Sequence, residues 1–162
     1  MSECSRNRKR LWSTTLARLA LASWLALAAP QLAAALDYAT DPVSGYALGG
    51  NDPVAYFIDR KPRRGQQKHE LRWGDTVWMF VNEGNRAAFE KAPRIYAPHL
   101  TGCDPTALAG GFVTIGNPAI FALHDGRLLL FHSEINRFLF LADPQTLLDT
   151  ARDAAVRLGC AR

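Results

Sequence analysis

Residues 68–81 read as two runs of alternating side chains, Lys68–Trp73 and Thr76–Val81, with Gly74-Asp75 between them. Side chains on a strand point to opposite faces in turn, so Leu71, Trp73, Trp78 and Phe80 share one face. Glu70, Arg72, Val77, Met79 and Val81 share the other. Only the first of these faces reads as core. A second pair of runs, Ala119–His124 and Arg127–His132, flanks Asp125-Gly126. Gly-Asp and Asp-Gly both suit two-residue hairpin turns. In this second hairpin Ala122, His124, Leu129 and Phe131 line up on one side, and Phe121, Leu123, Leu128, Leu130 and His132 on the other. Both sides are apolar, which predicts a hairpin covered on two faces.

Helices are predicted around the hairpins. Asp52-Pro53 and Asp104-Pro105 each read as an N-cap followed by a first helical residue, and Gly110-Gly111 ends the second of these short helices. Asn82 and Ser133 read as caps of helices that end near Pro93 and Asp143-Pro144. A last helix carries Leu147, Leu148, Ala151, Ala154, Ala155 and Leu158 as one apolar stripe.

The same units are visible as an internal repeat. Gly50-Asn51-Asp52-Pro53-Val54-Ala55 recurs as Gly102-Cys103-Asp104-Pro105-Thr106-Ala107 at a spacing of 52. From there the spacing is 51, matching Gly65 with Gly116, Phe80 with Phe131, Asn85-Arg86 with Asn136-Arg137, and Phe89 with Phe140. That many identities in register mark a duplicated unit. The predicted class is α+β, with two tandem units of short helix, β-hairpin and helix packed as one domain and followed by the amphipathic helix. The expected boundaries are 36–49 for a lead-in, 50–100 and 101–158 for the units, and 159–162 for a tail.

Residues 1–35 have a different character. A basic cluster (Arg6, Arg8, Lys9, Arg10) leads into the apolar run Leu19–Ala29 and then Ala33-Ala34-Ala35, the three parts of a secretory signal. The run is shorter than the roughly 20 residues that span a bilayer. Cleavage is expected after Ala35, with a periplasmic or secreted product that meets the membrane only during export. The net charge of +4 belongs to this segment. Without it, 14 basic and 14 acidic residues remain, which excludes a nucleic-acid footprint. Cys103 and Cys160 are then the only cysteines, and an oxidising compartment makes them a disulfide candidate.

Candidate chemistry is sparse. No phosphate-binding glycine loop, nucleophile signature or HExxH motif occurs, and the expected function is binding, without catalytic residues. Asp52 and Asp104 are explained as helix caps, and Arg86 and Arg137 as partners of an acidic neighbour or a chain terminus. His99, beside the junction of the units, is the candidate for a ligand groove or else a solvated loop residue. His132 reads first as a packed histidine at a strand end, on the opposite face from His124.

The strings DPVAYF (52–57), EGNRAAFEKAPRIYAP (83–98) and LLLFHSEINRFLFLADP (128–144) resemble exported bacterial members of the YHS domain family, named for a Tyr-His-Ser triplet that stands here as Phe131-His132-Ser133. The resemblance runs from about Tyr46 to Leu158. Metal-binding members carry cysteines at the start of the unit and at the strand-to-helix junction. Here Asp52 and Asp104 stand at the start, and the junctions read Val81-Asn82-Glu83-Gly84-Asn85 and His132-Ser133-Glu134-Ile135-Asn136. The resemblance therefore implies a module of the cell envelope that binds a small ligand or a protein and has no cofactor. The alternative is a copper- or zinc-handling protein using His132, Asp104 and Cys103, and a further alternative is an enzyme with an unrecognised site.

Overall fold

In the computed structural model, residues 37–161 are described; the expected signal segment and Arg162 lie outside them. Gly74 and Asp75 take positive φ angles of 59° and 58°, and Asp125 and Gly126 take 47° and 68°. Two successive left-handed residues give a tight turn whose twist matches the flanking strands. Strand β1 (Gln66–Trp73) accordingly pairs antiparallel with β2 (Thr76–Phe80), with Leu71 opposite Trp78. Likewise β3 (Asn117–His124) pairs with β4 (Arg127–Phe131), with Leu123 opposite Leu128. The two hairpins form separate two-stranded sheets.

Six α-helices complete the α+β architecture among the described residues: α1 (Ala55–Ile58), α2 (Glu83–Lys91), α3 (Pro93–Tyr96), α4 (Pro105–Ala109), α5 (Glu134–Ala142) and α6 (Pro144–Leu158). The capping signals act as their chemistry dictates. Asn82 accepts a hydrogen bond from the Asn85 N–H, Ser133 from the Asn136 N–H, and Gly159 closes α6 at a φ of 80°.

Each long strand starts earlier than the alternation predicts and is irregular at its start. The cause is a glycine before each strand. A Cβ on Gly65 would lie 2.5 Å from the Met79 carbonyl carbon, and one on Gly116 would lie 2.4 Å from the Leu130 Cβ. Only a bare backbone passes so close to the neighbouring strand. The structure also corrects the face assigned to Met79, which is buried. The lead-in covers it: Tyr46 bridges to Val77, and the Ala47 N–H donates to the Val77 carbonyl at 2.9 Å. Helix α3 is a further departure, since Pro93 both ends α2 and opens a new turn.

The core has two parts that share β4. Leu128 and Leu130 pack with Val54, Tyr56, Trp78, Phe80 and Phe89. Leu129 and Phe131 face the other way, into Leu108, Phe140, Leu148, Ala151 and Ala155. All four successive β4 side chains are buried. Tyr56 ties the halves further, donating its hydroxyl to the Pro118 carbonyl at 2.8 Å and packing edge-on against Phe121. Burial, with the Asp52 charge added, pushes its phenol well above the ordinary range.

Candidate functional site

Asp52 and Asp104 are fully buried, and every hydrogen bond they accept is local architecture. Asp52 Oδ1 accepts from the Val54 and Ala55 N–H groups in the turn before α1, which starts at Ala55 and not at Pro53 as predicted, while Oδ2 accepts from the Val81 N–H at 2.8 Å and the Asn85 amide at 2.6 Å. Asp104 repeats the pattern. Its Oδ1 accepts from Thr106 and Ala107, and its Oδ2 accepts from the His132 N–H at 2.7 Å and the Asn136 amide at 2.6 Å. Each carboxylate thus fastens a helix start to the end of a hairpin and the head of the next helix. Four donors per carboxylate fill the lone-pair directions a metal or a substrate proton would need. The arginines that follow those asparagines pair with the acidic residue three positions earlier, Arg86 with Glu83 and Arg137 with Glu134.

The alternative metal set is not assembled. Cys103 and Cys160 are joined by a disulfide with Cα atoms 6.3 Å apart, which removes the Cys103 thiolate as a ligand. Asp104 is occupied as described. His132 is exposed, with Nδ1 3.3 Å from the Ile115 carbonyl oxygen. Only its backbone N–H meets Asp104. Among the described residues no group of three His, Cys, Asp or Glu side chains stands close enough to hold an ion.

His99 lies elsewhere, in the wall of a cleft of about 620 Å³. Four separate stretches of chain converge there: Trp73 and Gly74 at the first hairpin turn, Arg94 on α3, Arg127 at the start of β4, and Arg152 with Val156 on α6. The turn His99–Gly102 forms the base. It is strained, because Leu100 and Thr101 take φ angles of 55° and 53°. A β-branched residue rarely occupies this left-handed region. Leu48, Gly49 and Gly50 make the same turn at 52°, 59° and 81°, so Thr101 stands where the other turn has glycine.

The electrostatics of the cleft are one-sided. Among the described residues no Asp or Glu lines it. Arg127 Nη1 donates to the Arg94 carbonyl at 3.2 Å, and Arg152 reaches Asp149 at 3.1 Å. Arg94 and Arg127 have no carboxylate partner among the described residues. Burial, then the charges of Arg152 and Arg127, bring the His99 imidazole down to about 4. The ring is therefore neutral near pH 7, and its buried Nε2 has no hydrogen-bond partner in the protein.

Sequence reasoning found His99 from its place at the junction. It missed the three arginines, which are 33 and 25 residues apart along the chain and have no common spacing or motif. Only the fold brings them together. Among the described residues no helix is long and apolar enough to cross a membrane. Set against models of protein families, characterised proteins and solved structures, the chain matches none.

Proposed function

We propose that this chain is an exported, YHS-like binding module of the cell envelope and that its ligand site is the His99 cleft. The observation that carries the reading is the cleft itself. A strained turn puts a half-buried imidazole, its Nε2 buried and without a partner in the protein, in its wall, and walls from four parts of the chain surround it. Concave, part-apolar pockets of roughly 300–1,000 Å³ are the usual places for small ligands. Binding is favoured over catalysis because the acid-base candidates, Asp52 and Asp104, are occupied as architectural acceptors. Export is supported by the three-part pattern of residues 1–35, and the YHS likeness by the strings 52–57, 83–98 and 128–144.

Val156 lines the cleft and is 69% exposed, so Val156→Trp fills the space without touching the core. A thermal-shift screen of small metabolites should yield compounds that raise the Tm of the wild type and leave the Trp variant unmoved. Equal shifts in both proteins would place binding elsewhere, and no shift with any compound would remove the ligand-binding reading.

A further inference from the structure

We infer that the cleft selects a small organic anion, with an oxyanion group, carboxylate or phosphate, seated between Arg94 and Arg127 and its organic body against Trp73 and Val156. This rests on the cleft being the ligand site, and it goes further by naming the chemistry of the ligand.

Charge is the first argument. Among the described residues three arginines border a concavity with no Asp or Glu side chain in its wall, and of the three only Arg152 has an acidic partner. Folding brings these like charges to one concavity, and a cleft lined by one sign of charge favours a counter-ion. Arginine is suited to this, since its planar fork of N–H donors matches the paired oxygens of carboxylate and phosphate. The Arg127 to Arg94 carbonyl bond holds the Arg127 guanidinium against the backbone of α3 at Arg94, so two of the arginines stand on adjoining walls.

Polarity is the second argument. His99 is a neutral imidazole with a ring nitrogen lacking a partner. A neutral imidazole offers one donor and one acceptor and adds no fourth positive charge to the wall. Size is the third. A bare inorganic oxyanion fills only a small part of about 620 Å³, and Trp73 and Val156 offer apolar surface to a carbon skeleton.

The test is titration calorimetry at low salt with inorganic phosphate, phenyl phosphate, benzoate and the neutral control benzyl alcohol. Wild type, Arg94→Gln, Arg127→Gln and Val156→Trp are compared. Both arginines are exposed, so their glutamine variants should fold normally, as circular dichroism would verify. Phenyl phosphate or benzoate should bind, with affinity falling as salt rises and dropping roughly tenfold or more in each glutamine variant. Val156→Trp should abolish it. Benzyl alcohol binding as tightly as the anions, in a manner blocked by Val156→Trp, would overturn the anion inference and leave the cleft as a ligand site. Anion binding unchanged by Val156→Trp, or no binding by any probe, would overturn both. Inorganic phosphate matching phenyl phosphate would reject the organic body.

Discussion

His99 couples the cleft to pH. Its imidazole titrates at about 4 in the folded protein and near 6.5 in an unfolded chain. Between those values the unfolded chain holds a proton that the folded chain does not, so stability is complete above about pH 6.5 and falls as pH drops towards 4. After discounting for partial exposure of the ring, the loss between pH 7 and pH 5 is about 1 kcal/mol. Urea unfolding at the two pH values should show this drop in the wild type and a smaller one in His99→Gln; equal drops would mean that the ring is not held neutral by its surroundings. Asp104 and His132 offer a contrast. Asp104→Asn turns an acceptor into a donor facing the His132 N–H and the Asn136 amide, at a cost of about 2–4 kcal/mol. His132→Ala removes an exposed ring and should cost within about 0.5 kcal/mol. The reverse order in denaturant midpoints would revive a role for the imidazole. The architectural part of Asp104 was legible, because Asp before Pro is a local cap signal. Its second duty, reaching the end of β4 and the head of α5, depends on residues 28 and 32 positions away.

At the scale of elements, α5 separates what was legible from what was not. Its cap and length follow from Ser133 and Asp143-Pro144, but the apolar residues of Glu134–Ala142 do not fall on a single side, so its buried side could not be chosen by composition. The structure chooses Phe140, fully buried against Phe131 with ring centroids 5.2 Å apart, and leaves Phe138 72% exposed. Phe140→Ala should therefore cost about 3–5 kcal/mol, whereas Phe138→Ala should fall within about 0.5 kcal/mol. Chemical denaturation of the two variants checks the assignment, and similar costs would mean that the helix is rotated. The hairpins were legible almost residue by residue, since period-two alternation and a positive-φ turn are local properties. Helix α3 was not, because proline ends one helix and begins another with the same ring, and only packing distinguishes the two uses. The arginines of the cleft belong to three different elements, and no local rule joins them.

Over the whole molecule, the disulfide encloses a long segment, joining Cys103 after the cleft turn to Cys160 after α6, at a sequence separation of 57. In the chain-entropy model, closing a loop of that length stabilises the fold by about 4 kcal/mol, so reduction should lower the unfolding free energy by that amount and the denaturation midpoint with it. No change on reduction would mean that the bridge contributes nothing to the folded state. The α+β class and the order of elements were legible because the local signals, Asp before Pro, a hairpin turn and a helix cap, occur in that order in two stretches of the chain. Strand β4 has a different kind of consequence, one of time. Leu128 and Leu130 belong to one core and Leu129 and Phe131 to the other, so neither half can finish packing while this strand is loose. Refolding of the oxidised protein should proceed in a single exponential phase, with a V-shaped dependence of rate on denaturant. Leu129→Ala and Leu130→Ala, which empty opposite cores, should slow it by similar factors. Two resolved phases, each sensitive to only one of the substitutions, would show halves that fold independently. One phase sensitive to both would make this five-residue strand the step at which the chain commits to its fold.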